Sequence, residues 1–171
     1  MTDLPISKWL EDHSSLFQAE DKVLDLACGS GRHSIFLAQK GCAVTAVDID
    51  TAAIRSLGLS ELNIIDADLE QGNWPFEVNT FDAILVSNYL WRPLFAPLIA
   101  TLKPGGIILY ETFAKGNEEY GRPKNPNFLL EEGELPAVFK GFEVLDYYNG
   151  TRTFPQTSVR QGIAARKPAH K

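Results

Sequence analysis

Short runs of apolar, β-branched residues recur along this chain, each followed by a stretch in which apolar positions return at helical spacing. The runs at 22–27, 43–48, 63–67, 81–87 and 106–112 read as strands, and the patterns at 31–40, 50–57 and 90–102 as helices. This alternation predicts a parallel sheet with crossover helices. Gly41 stands where a C-cap would close the first of these helices, and Asp50 where an N-cap would open the second. Lys103-Pro104-Gly105-Gly106 supplies a turn into the fifth strand. Beyond Thr112 the pattern changes: 114–127 is rich in turn formers, 131–140 reads as a short helix, and 142–149 and 158–165 read as two more strands joined by GTRTFPQT. A link that short cannot be a parallel crossover, so the last two strands form an antiparallel hairpin. The expected fold is α/β: a doubly wound, seven-stranded, mostly parallel sheet with the last strand antiparallel.

Composition narrows the functions this fold would serve. At 171 residues the chain reads as one globular unit, with 1–20 an N-terminal helix or lid segment and 21–171 the main domain. Its apolar runs are too short to span a membrane, and the first thirty residues lack the charged-then-apolar order of a signal peptide, so a cytoplasmic protein with no membrane partner is expected. A net charge of −6 argues against a general grip on nucleic-acid backbones. Arg152, Arg160, Arg166, Lys167 and Lys171 make the C-terminal stretch locally basic, which leaves room for a small anion site there. Cys28 and Cys42 form neither a metal-ligand nor a disulfide pattern and read as small half-buried residues; no metal is expected.

The segment VLDLACGSGRH, from Val23 to His33, carries the chemistry. A strand, a glycine loop and a helix start form the place where doubly wound folds bind nucleotide-like ligands, and Gly29 and Gly31 allow close backbone approach. Asp48, ending the second strand, is placed to accept from ribose hydroxyls. A dinucleotide fingerprint would put a third glycine where Ser34 stands, which weakens that reading. Asp25 sets a carboxylate ahead of the loop, and a carboxylate suits a cationic amine better than a phosphate. An amino-acid-bearing nucleoside fits both features. Asp66 and Asp68 follow NII at the carboxyl end of the third strand, and Asp68 is the better acceptor for an adenine amine.

The motifs VLDLACGSG, VTAVDID, DADLE, WPFEVNTFDAILVSN and LKPGGIILYETF resemble, in that order, those of class I S-adenosylmethionine-dependent methyltransferases, over about residues 20 to 165. The resemblance implies S-adenosyl-L-methionine as cofactor. It also implies a binding set of Asp25, Ala27, Cys28, Gly29, Gly31, Asp48, Ile49, Asp68, Leu69 and Ser87. The glycine loop would hold the methionine part, Asp48 the ribose, Asp68 and the Leu69 backbone the adenine, and Ser87 would border the methyl donor. A narrower resemblance, to the tellurite-resistance (TehB-like) group, lies in HSSL, CGSGRHS, FLLEEGELPAVFKGFEVLDYY, TRT and VRQGIAARK. Thr151-Arg152 stands where His-Arg is expected for that group.

Methyl transfer from a sulfonium mainly needs orientation, and a base only when the acceptor carries a proton. The candidates at the carboxyl edge of the sheet are Glu111, Tyr89 and Arg152 as catalytic residues, with Glu111 the possible base and Arg152 an oxyanion clamp. His13, Asn88 and Arg152 are the candidate substrate-binding residues. His33 reads as an exposed helical histidine. Tyr120 and Lys124 have the spacing of a dehydrogenase pair, but Gly121 and Pro123 between them oppose the helix it needs. SNYL lacks the prolines of amino-methylating nucleic-acid enzymes. Few residues remain outside the core, which favours a small-molecule acceptor, an anion or a metalloid or chalcogen oxyanion. A non-catalytic cofactor-binding sensor or partner subunit is the alternative, and a nicotinamide oxidoreductase a weaker one. The oligomeric state is left open.

Overall fold

A computed structural model describes residues 4–169, so Lys171 of the basic tail and the first three residues of the N-terminal segment lie outside the described residues. The strands are β1 (Lys22–Leu26), β2 (Ala43–Asp48), β3 (Asn63–Asp66), β4 (Phe81–Ser87), β5 (Leu102–Phe113), β6 (Glu143–Arg152) and β7 (Ser158–Arg166). They form one sheet in the order β3-β2-β1-β4-β5-β7-β6. The first five pair in parallel, and β7 runs antiparallel to both its neighbours, β5 and β6. The order reverses between β1 and β4, where the carboxyl ends of strands open a crevice for ligands.

Strand parity decides what faces that crevice. Val23, Ala83, Leu85, Ile107, Leu109 and Ala164 point to one face, where they pack under the helices α1 (Lys8–Asp12), α2 (Arg32–Gln39) and α3 (Ala52–Arg55). Their alternates, among them Leu24, Ile84 and Ile108, point to the other face, under α4 (Phe95–Thr101) and α5 (Glu134–Val138). Asp25, Ser87 and Glu111 continue the first set and therefore share one face with the N-terminal segment. Trp9 and Leu10 of α1 are buried there, and Trp9 Nε1 donates to the Ile163 carbonyl at 3.3 Å. Gly162 makes that fit possible, since a Cβ would lie 2.7 Å from Tyr148 Cε1 and 2.9 Å from Trp9 Cε2.

Several boundaries differ from those the sequence predicts. Leu102 to Gly106 joins β5 instead of forming a separate turn: Phe81 pairs with Leu102 and Ala83 with Ile107, and Lys167 exchanges backbone hydrogen bonds with Gly105 and Gly106. Pro93 and Pro97 shorten the fourth crossover helix, whose start becomes a single 3-10 turn at Arg92–Leu94. Asp50 lies one residue before the α3 cap, Thr51, yet its Oδ1 still accepts from the Ala52 N–H at 3.0 Å. Gly41 follows the Lys40 C-cap at φ +96°, as a helix-closing glycine should. No helix among the described residues is long and apolar enough to cross a membrane.

Candidate functional site

The site begins in the β1–α2 loop, where the chain takes left-handed conformations at Ala27, Gly29 and Gly31. The two glycines serve different ends. A Cβ on Gly31 would lie 2.5 Å from Ile54 Cδ1, so this glycine lets α3 pack against the loop. A Cβ on Gly29 would meet nothing within 4 Å, so this glycine is not needed for packing. Asp48 fixes the loop from β2, its Oδ2 accepting from the Gly29 N–H at 2.8 Å and its Oδ1 from the Asp50 N–H at 3.1 Å. Ile49 beside it is 68% exposed, an apolar platform at the strand end. Asp68 Oδ1 accepts from the N–H groups of Glu70 and Gln71, which shapes the turn carrying buried Leu69. At the end of β4 the buried Ser87 Oγ has no hydrogen-bond partner in the protein.

Asp25 is buried under the loop, where its Oδ2 accepts from Ser34 Oγ at 2.6 Å. Burial pushes its carboxyl up to about 7, against the opposing pull of the Ser34 hydroxyl. The Ser34 position that breaks a dinucleotide fingerprint is thus the partner of the loop's own carboxylate. Cys28 is a buried thiol pushed up to about 12 by its burial and by Asp25 and Asp48, which makes it a packing residue.

Past Ser87 the crevice widens into a cleft of about 470 Å³, bounded by the N-terminal segment, the 117–122 loop and the β6–β7 hairpin. Lys8, Arg32, Arg122, Arg152 and Arg160 line it against two acids, Asp12 and Glu111, in a chain that is acidic as a whole. Glu111 is the hub of its inner wall. Its Oε1 accepts from Ser7 Oγ at 2.9 Å and faces Arg160 Nη2 at 3.5 Å, while its Oε2 accepts from the Tyr148 hydroxyl. Arg160 also donates to Asn88 Oδ1 and lies over the Phe113 ring, 4.4 Å from its centroid. Arg152 stacks on Tyr148 at 3.6 Å. Asn88, at φ +58°, is held in a strained conformation by its N–H bond to the Glu111 carbonyl and by Arg160.

The structure brings Ser87, Asn88, Glu111 and Arg152 together at this cleft and corrects four expectations. Glu111 is not a free base: three donors occupy a carboxylate that is almost fully buried. Tyr89 points away, donating to Glu70 Oε2 at 3.2 Å on the β3 side, with its hydroxyl pushed up by burial and by Glu70. His13 sits outside the cleft, between the Trp9 carbonyl and Asp146 of β6, at 2.8 Å from each, and so ties the N-terminal segment to the sheet edge. His33 is buried, its Nε2 accepting from the Ser7 N–H at 3.0 Å, and burial pulls it down to about 3. Arg32, Ser7 and Tyr148 are the residues that the sequence reading missed, and Arg160, read there only as part of a basic stretch, becomes a specific group. A helix-start serine before an apolar pair signals Ser7 as an N-cap, which it is, and β-strand parity from Gly162 would have turned Arg160 inward.

The family of methyltransferase domains matches residues 23–106. The chain is 32% identical over 140 residues to "Probable S-adenosyl-L-methionine-dependent methyltransferase TehB" of Haemophilus influenzae, covering 74% of this chain and 47% of that protein. The crystal structure of TehB from Haemophilus influenzae superposes with a TM-score of 0.78 at 22% identity, over 95% of this chain and 62% of that one. A Burkholderia thailandensis 1,6-didemethyltoxoflavin-N1-methyltransferase, solved with bound 1,6-didemethyltoxoflavin and S-adenosylhomocysteine, superposes with a TM-score of 0.70 at 19% identity, over 94% and 76% of the two chains. The chain spans about half the length of the curated relatives it matches.

Proposed function

We propose that this chain, which matches the methyltransferase-domain family over residues 23–106 and is 32% identical to a TehB over 140 residues, is a class I S-adenosylmethionine-dependent methyltransferase that transfers a methyl group to a small anionic molecule. Chalcogen and metalloid oxyanions are the simplest acceptors of that class. The observation that carries this reading is the arginine-lined cleft that opens at Ser87, against the grain of an acidic protein. A nucleic acid or a membrane is not the expected partner.

The cofactor supplies an activated methyl group on a sulfonium. This chain's residues supply its placement: Asp48 would hold the ribose, Asp68 and the Leu69 backbone the adenine, Gly29 the close approach, and Asp25 with the loop the amino-acid end. Ser87 would border the reacting methyl, its unpartnered hydroxyl placed to donate to the anionic acceptor. On the other side, Arg160 and Arg152 would orient the acceptor's anionic group, their planes fixed by stacking on Phe113 and Tyr148. Holding the attacking atom near 3 Å can lower such a barrier by about 7–11 kcal/mol. An anion attacks through a lone pair and gives up no proton, which agrees with a Glu111 whose oxygens are already taken.

The test is transfer of label from S-adenosylmethionine into selenite, tellurite and the small-molecule fraction of a cell extract. A labelled small product is expected, lost in Asp48→Ala and reduced at least tenfold in Arg160→Gln. Label confined to macromolecules would overturn the small-anion reading. Cofactor binding with no transfer at all would leave a sensor or partner subunit.

A further inference from the structure

The cleft is larger and more apolar at its mouth than a bare oxyanion requires. A water molecule occupies about 30 Å³ of liquid, and an inorganic oxyanion takes the space of roughly two or three. Against that, the cleft encloses about 470 Å³, within the range that drug-sized organic ligands fill. Its outer rim collects Leu4, Tyr120 and Phe154, which are 64%, 51% and 64% exposed. Large apolar side chains brought into one rim from three separate segments leave an apolar patch that a ligand would cover. The inner end is the opposite: Arg160, its side chain only 12% exposed, lies over Phe113 with Nη2 turned to Asn88 and Glu111, and the exposed Arg152 of the hairpin stacks on Tyr148. Cations at the base and aromatic rings at the mouth describe a ligand with the matching halves.

Resting on the methyl-transfer reading for its reaction but not for its binding, we propose that the cleft selects an organic acid with a flat apolar body. Its carboxylate lies with Arg152 and Arg160, and its ring system under Phe154, Tyr120 and Leu4. Size and apolarity, beyond charge, set the preference.

Binding is measured by calorimetry on the full chain saturated with S-adenosylhomocysteine, using 2-naphthoate, its neutral amide and selenite. The expected result is that 2-naphthoate binds at least tenfold more tightly than either of the others. Phe154→Ala, an exposed turn position checked for folding by its thermal transition, should weaken 2-naphthoate about fivefold to tenfold and leave selenite unchanged. Arg152→Gln should weaken both anions. Selenite binding as tightly as 2-naphthoate, or an unchanged 2-naphthoate affinity in Phe154→Ala, overturns the proposal. Tight 2-naphthoate binding with no labelled product from any acceptor would sink the methyl-transfer reading and keep the ligand class. Methylated selenite with no bound 2-naphthoate would do the reverse.

Discussion

The two sides of the crevice are built in different ways. The side proposed to hold the cofactor is shaped by backbone: left-handed residues at the alternate positions Ala27, Gly29 and Gly31, tied to a carboxylate nineteen positions on from Gly29. The side proposed to hold the acceptor is shaped by side chains that converge from distant parts of the chain. Ser7 reaches Glu111 across 104 positions, Arg160 reaches Asn88 across 72, and Trp9 reaches the Ile163 carbonyl across 154. A site made of backbone can present one ligand in one way, whereas a site made of side chains can change its ligand by substitution without changing the fold. This division suits a common cofactor and a particular acceptor.

The largest test concerns pH, because two buried groups near the glycine loop are shifted in opposite directions. Asp25, under the glycine loop, is pushed up to about 7, while His33, which meets the N-terminal segment, is pulled down to about 3. Between about pH 4 and 6.5 the folded chain holds a proton on Asp25 that the unfolded chain has lost, so this group's stabilisation falls as pH rises, by about 1 kcal/mol per unit. His33 has the opposite sign in the same window, since the unfolded histidine is protonated and the folded one is not. The two slopes cancel. Urea unfolding of the natural chain should therefore be nearly flat from pH 4.5 to 6.5. Asp25→Asn should lose up to about 3 kcal/mol on going down that range, and His33→Gln should gain stability over it. Parallel profiles for all three proteins would mean that neither group is buried as described.

The next test separates the two loop glycines. Gly31→Ala drives a Cβ into buried Ile54 at a positive φ, and should cost about 3 kcal/mol by chemical denaturation. Gly29→Ala has open space and only the conformational cost of about 1 kcal/mol, yet should lose more than tenfold in S-adenosylhomocysteine affinity. Equal effects on affinity and stability at both positions would break the idea that one glycine serves packing and the other ligand. Asp48→Ala follows in size, with an expected loss of about 30-fold in the same affinity from missing charge-assisted hydrogen bonds.

The contrast also explains what the sequence could tell. The succession of strands and helices, the reversed last strand, the glycine loop and Asp48 at the end of β2 are written within short local stretches, where period and turn chemistry act directly. The acceptor wall is not, because nothing local ties Ser7 to Glu111 or Arg160 to Asn88. His33 illustrates the difference: its place in the first turn of α2 looks exposed, and only a segment 26 positions earlier in the chain covers it. Tyr89 and His13 fail for the same reason, each drawn away by a carboxylate, Glu70 or Asp146, that proximity in sequence does not reveal. Arg160 stands in a basic stretch that reads as a general charge, and it becomes a specific group only when β7 pairs with β5.

The smallest expected effect falls on Ser7, where the two sides meet. Its hydroxyl donates to Glu111 and accepts from the N–H groups of Trp9 and Leu10, and its own N–H is held by His33 on the cofactor-side helix. Ser7→Ala removes a helix cap and one of three donors to Glu111, and should cost about 1–2 kcal/mol, read as a fall of a few degrees in the thermal transition. The backbone bond to His33 survives, so S-adenosylhomocysteine affinity should stay unchanged. Glu111, short of a donor, should draw more of Arg160's charge to itself, so KM for the anionic acceptor should rise about threefold to tenfold while kcat changes less. Ser7→Thr, which keeps the hydroxyl, should restore both. If Ser7→Ala instead weakens cofactor and acceptor by the same factor, the crevice is one cooperative unit, and the division into a backbone-built half and a side-chain-built half does not describe how it binds.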